Sequence, residues 1–106
     1  MTPQELTNLV ATRVMNWTVA PDRFMRGDRK WIPTWRFEPC EKFAHAVQLL
    51  DATRPTTYSL SADQNGYFLA RVQVDDVVGE ARDRSRSRAL TIAVARAMGI
   101  DVGKVE

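Results

Sequence analysis

The densest chemistry in the chain lies in TVAPDRFMRGDRKWIPTWR, residues 18 to 36. There Trp31 and Trp35 stand among Arg26, Arg29, Lys30 and Arg36. An indole can stack on a nucleobase while a guanidinium pairs with phosphate, so this mixture suits a nucleotide or a single strand. The competing use of the same residues is structural, with the tryptophans folded inward as core anchors. That use fits Trp17 and Trp35 best, whereas Trp31 follows a run of charged and glycine positions and is expected outside. Arg26, Arg29, Lys30, Trp31, Trp35 and Arg36 form the first set of candidate ligand-binding residues.

A second set lies in GEARDRSRSRALTIAVARAM, residues 79 to 98, which carries Arg82, Arg84, Arg86 and Arg88. On a strand Arg82 and Arg84 share a face, because side chains repeat every two residues. On a helix Arg86 and Arg88 diverge by about 200°, so the four cannot converge on one ligand. Arg86 or Arg88 is still placed to work with the exposed N–H groups of a helix N-terminus, a natural anion site, and Arg84, Arg86 and Arg88 complete the candidate ligand-binding residues. Cations in a first helical turn oppose the helix dipole by a few tenths of a kcal/mol. The structural alternative is a charged edge that protects a strand from aggregation.

Nothing in the chain assembles a nucleophile, a base and an electrophilic stabiliser. His45 has Glu41 one turn before it but no Cys or Ser partner at a useful spacing, and is expected to be structural. Cys40 is expected to be buried and unreactive, and Asp75-Asp76 reads as a turn. Asp22 and Asp28 are likewise not a paired-carboxylate site. With one His and one Cys, Cys/His zinc sites are excluded, and there is no P-loop or dinucleotide glycine pattern. A binding protein, without enzymatic activity, metal or cofactor, is the expectation.

The elements that must position these residues follow from periodicity. A chain of 106 residues, 44% hydrophobic and 26% charged, is expected to form one globular domain, residues 1–106. Twelve of its fifteen cations are Arg, which favours bidentate contact with phosphate or carboxylate. Helix 1 opens with Thr2 as N-cap, Pro3 in the first turn and Glu5 closing a capping box, with Leu6, Leu9, Val10, Val14 and Trp17 on one stripe. Residues 18 to 36 show no sustained period and read as a long loop, functional because its aromatics argue against disorder. Helix 2 is expected over 38–53, with Pro39 in its first turn and Phe43, Ala46, Val47 and Leu50 inward. TTYSLSA and YFLARVQV alternate as strands around an Asn65-Gly66 hairpin turn, and Tyr67 and Leu69 imply partial cover on the second face. A third strand around 78–84 leads to helix 3 over 86–98, stopped by Gly99. The order α-loop-α-β-β-β-α gives an α+β fold, a three-stranded antiparallel sheet with helices packed on it as an α/β/α sandwich.

LVATRVMNW at 9–17, the tryptophan-containing segment before helix 2, and RSRALTIAVARAMGI at 86–100 carry a resemblance to the phage ABA sandwich domain family, a group of small tailed-phage proteins. That resemblance implies a phage accessory protein of this fold. Residues 55–98 also resemble the β-β-β-α half of double-stranded-RNA-binding domains, where a basic cluster at the last helix sits over phosphates. The hairpin SADQNGYF lacks that family's Gly-Pro-x-His loop, and arginines replace its lysines. The leading expectation is a counter-defence protein that sequesters a cyclic, nucleotide-derived host immune signal, acting as a homo-oligomer with the ligand between subunits. The alternatives are an inhibitor that caps a host defence enzyme and an RNA-binding module. No apolar run approaches the about 18 residues of a membrane span. The N-terminus lacks a signal-peptide layout, so the expected location is the cytoplasm of the host cell.

Overall fold

The computed structural model of the chain describes residues 1–105. Helix α1 spans Pro3–Arg13, and its start is the expected capping box: the Thr2 hydroxyl takes the Glu5 N–H while the Glu5 carboxylate takes the Thr2 N–H. The helix stops well before Trp17, because Asn16 enters the left-handed region at φ 59° and turns the chain. Trp17 nevertheless reaches the core, at 9% exposure.

Residues 18 to 36 are not a loop. They form a small antiparallel sheet, β1 (Thr18–Val19), β2 (Arg23–Met25) and β3 (Trp31–Pro33), followed by a single 3-10 turn over Thr34–Arg36. Phe24 organises it. Its ring is wholly buried and packs edge-on against Phe37 at 6.0 Å, and Trp17 closes the cluster 4.9 Å from Phe37. Strands of two or three residues are too short to show alternation, so this sheet was invisible to a periodicity argument.

Helix α2 spans Phe43–Thr53 and starts later than expected. Residues 38 to 42 turn instead, because their polar groups have tertiary partners: the Glu38 N–H donates to His45 Nδ1 at 2.8 Å, and the Pro39 carbonyl accepts from the buried Thr91 hydroxyl at 2.9 Å. Three strands follow, β4 (Thr57–Ala62), β5 (Phe68–Val74) and β6 (Val77–Asp83), paired in the order β4-β5-β6, all antiparallel. The β4–β5 turn carries Gly66 at φ 82°, with Asp63 Oδ1 accepting from the Asn65 and Tyr67 N–H groups. Asp75, at φ 54°, turns β5 into β6. Helix α3 spans Arg86–Ala97, capped by the Ser85 hydroxyl and ended by Gly99 at φ 79°.

The class is α+β, with a three-stranded antiparallel sheet carrying helices. Helix α3, buried along most of its length, lies on the β5–β6 face and packs on its other side against α2. Ala70, Val72 and Ala81 point into that contact, and Gly79 lets the backbones meet: a Cβ there would collide with the Ala93 carbonyl oxygen and the Ala97 nitrogen. The layering is therefore sheet, α3, α2, and the far face of the sheet stays open. Leu69 is 42% exposed, and Tyr67 is covered by arginines instead of a helix. The small sheet meets the helices elsewhere, at α1 and, through Phe37 stacked on His45, at α2.

Candidate ligand-binding site

Register divides the small sheet into two faces. Phe24 lies opposite Ile32, and both point to the core; Met25 opposite Trp31 and Arg23 opposite Pro33 point away. Trp31 is thus held on the outer face of a sheet anchored by Phe24, at 47% exposure. The Arg23 guanidinium lies 5.0 Å above its ring, and Asp22, Arg23, Trp31, Ile32 and Pro33 line a cleft of about 320 Å³. Arg23 escaped the sequence reading because only the strand register shows that it faces Trp31.

The β2–β3 connection is the tight hairpin Arg26–Lys30. The Arg26 N–H donates to the Lys30 carbonyl at 2.9 Å, and the Lys30 N–H donates to Asp28 Oδ1 at 3.1 Å. Arg29 sits at its tip in the left-handed region, φ 63°, a conformation that favours glycine or asparagine over arginine. Asp22 and Asp28 approach Arg23 and Arg26 at 3.3 and 3.8 Å. Arg29, Lys30 and Arg36 have no carboxylate within ion-pair distance among the described residues.

Trp35 reverses the expectation that it anchors the core: it is 59% exposed. The 3-10 turn that carries it buries none of its residues, and Phe37 takes the core position instead. The Arg36 guanidinium lies 5.4 Å from the Trp35 ring, and Lys42 Nζ donates to the Trp35 carbonyl at 3.3 Å. Residues 18 to 36 therefore expose two indoles, each with its own guanidinium, and carry cations with no carboxylate within ion-pair distance among the described residues. Aromatic surface for stacking and unspent positive charge for phosphate are the two requirements of a nucleotide site.

The second set of arginines divides as the periodicity required. Arg82, on the open sheet face, donates through Nε and Nη2 to Asp63 Oδ2 at 3.0 and 2.9 Å and stacks on Tyr67 at 3.8 Å. Arg84 shares the same ring at 5.0 Å, while Arg86 turns away to Phe43 at 4.5 Å. Arg88 faces Asp83 at 3.9 Å, and its Nε is buried without a partner. A cleft of about 600 Å³ over this face includes Arg71, Glu80 and Arg82. Its charge is spent internally, in the Arg71–Glu80 pair at 2.9 Å and the Arg82–Asp63 pair.

In sequence-wide terms the chain matches no known protein family, and no curated protein matches it. Among solved structures, a crystal structure of a phage protein from Bacillus cereus has a similar fold, with TM-score 0.82 over 97% of this chain and 93% of that one, at 12% identity. A likeness at that identity establishes the fold alone.

Cys40 and His45 are both tied into the fold. Burial pushes the Cys40 thiol up to about 11, against the lowering effect of a hydrogen bond with Thr7. His45 Nδ1 already accepts the Glu38 N–H, and burial lowers the imidazole below its ordinary value, with Lys42 adding to the effect. The described residues contain no group of three or more His, Cys, Asp or Glu able to hold a metal. None of their helices is long and apolar enough to cross a membrane.

Proposed function

We propose that this chain is a non-enzymatic phage accessory protein of the ABA sandwich kind, which acts against host defence by binding and sequestering a cyclic, nucleotide-derived signal. The observation that carries the reading is the outer edge of the small sheet. Trp31 is exposed under Arg23 and Trp35 under Arg36, in a short segment that also carries Arg29 and Lys30, which have no ion-pair partner among the described residues. The rings offer stacking surface to the bases, and the cations offer partners to the phosphates. Arg26 orders the hairpin and stays at its rim. Arg84 rests on the Tyr67 ring of the large sheet and Arg86 on Phe43 of α2, and Arg88 is turned to the interior. The phage origin rests on the fold shared with the Bacillus cereus phage protein and on the sequence resemblance.

Trp and Arg are also the residue types that dominate protein interfaces, so the same edge supports capping of a host enzyme as the second reading. Isothermal titration against cyclic dinucleotides and ADP-ribose derivatives separates the two. Heat of binding to one member, with a defined stoichiometry, supports sequestration. Silence across the panel ends it, and capture of a host enzyme through Trp31 would then establish the other.

A further inference from the structure

We infer that the free edge of β4 is a self-pairing interface, where a second copy of this chain adds antiparallel and joins two large sheets into one. The inference concerns the sheet far in sequence from Trp31 and stands whether or not a nucleotide binds.

The two edges of the large sheet are built differently. The β6 edge is sealed: Arg96, on α3, donates to the Glu80 carbonyl at 2.7 Å and to the Val102 carbonyl at 3.1 Å, which ties the C-terminal segment alongside. The β4 edge has nothing of the kind. Its residues, TYSLSA, include no charge and no proline, and its register with β5 runs one-to-one without a bulge from Thr57 to Ala62. Edge strands of monomeric proteins are ordinarily blunted by such devices; here they stand only before the strand, at Pro55 and where Thr56 and Thr57 both face Gln73, and from Thr57 to Ala62 the edge is a template for pairing.

Backbone geometry says which groups are free. The Asp63 N–H bonds to the Tyr67 carbonyl, so the odd-numbered residues of β4 turn their peptide groups toward β5. By alternation Tyr58, Leu60 and Ala62 present theirs to the open edge. A two-fold copy with Leu60 opposite itself and Tyr58 opposite the copy's Ala62 bonds all of them. Tyr58, 62% exposed, then lies across the seam on the α3 side of the sheet. The facing pairs are Leu60 with itself, Ser59 with Ser61 and Tyr58 with Ala62, with no like charges opposed.

Charge selects the direction. β4 is preceded by Arg54, exposed and without an ion pair among the described residues, and followed by Asp63, whose carboxylate is held below the ordinary range by the Tyr67 and Asn65 N–H groups and by Arg82. An antiparallel copy keeps the two Arg54 guanidiniums at opposite ends of the seam, each toward the other chain's Asp63–Arg82 pair, whereas a parallel copy would bring the two Arg54 charges together. Closed two-fold dimers are also the commonest assembly of identical chains.

Sedimentation velocity over rising protein concentration tests this, with two variants. The expected wild-type species has twice the 12.0 kDa chain mass. Tyr58→Pro removes an N–H that the β4–β5 ladder does not use, and is expected to return the chain to monomer mass. Leu60→Cys sets two thiols across the two-fold at a spacing that allows a disulfide, and is expected to give a linked dimer on oxidation; the native Cys40 is buried and does not compete. A wild-type chain that stays at 12.0 kDa overturns the inference. So does a dimer that survives Tyr58→Pro, or one in which Leu60→Cys stays unlinked. Should Tyr58→Pro fail to fold by circular dichroism, the cross-link decides.

Discussion

The two sheets use the same chain in opposite ways. The large sheet spends its side chains on stability. Its inner face is sealed on α3 at Gly79, and the arginines of its outer face are paired with Glu80 and Asp63 or stacked on Tyr67. The small sheet buries one ring of its own, Phe24, and leaves Trp31 outside under Arg23. A region of short strands held by a single anchor can hold aromatic and cationic groups unspent, and those are the groups free to meet a ligand. Charge alone is therefore a poor guide here. The richer arginine run, 82 to 88, is the one largely satisfied from within.

This contrast can be broken at its anchors. Phe24→Ala is expected to cost about 3–5 kcal/mol, the usual range for a buried Phe truncated to Ala, because Phe24 is wholly buried between Trp17 and Phe37. Thermal denaturation with tryptophan fluorescence reads both the loss and the disordering of the small sheet. If that loss falls below about 1 kcal/mol, the small sheet is not anchored as described. Gly79→Ala is expected to cost about 1–3 kcal/mol by overpacking against the α3 backbone. It should lower the denaturation midpoint of the large sheet without touching the exposure of Trp31.

A smaller effect comes from pH. The folded imidazole of His45 is held below its ordinary value of 6.5, first by burial and then by Lys42. Its neutral form accepts the Glu38 N–H, so protonation favours the unfolded chain. The contribution is complete above pH 6.5 and is lost as pH falls below that value. Asp63, lowered below 3.8, adds a second loss as pH falls through the acid range beneath it. Urea midpoints measured from pH 7.5 down to 5 should therefore decline in the wild type and stay flatter in His45→Gln.

Much of the fold was legible in sequence because its elements are long enough to show a period. The Thr2 capping box, the Asn65-Gly66 turn, the β4 and β5 alternation and the α3 stripe ending at Gly99 are all found where the residues placed them. Two elements escaped. The small sheet has strands too short to alternate, and α2 begins late because His45 and Thr91 bind the peptide groups of residues 38 and 39. No local signal in either segment carries that tertiary information. At the candidate site, residue types pointed to Trp31, Arg29, Lys30 and Arg36, but the placing of Arg23 and Lys42 beside the indoles required a register and a contact. Trp35 was expected inside because nothing in the sequence said that Phe37 would take its place.

The central claim is that recognition resides on the small sheet, and ligand affinity in paired variants tests it most directly. Trp31→Ala removes the stacking surface, and Arg29→Gly removes a cation at a left-handed position that glycine accepts without strain. Titrated with the ligand found in the nucleotide panel, each variant should keep wild-type stability within about 0.5 kcal/mol. Each should weaken binding about tenfold or more, while Arg84→Ala changes it little. Undiminished affinity in both small-sheet variants, with loss in Arg84→Ala, would contradict the account and move recognition to the large sheet.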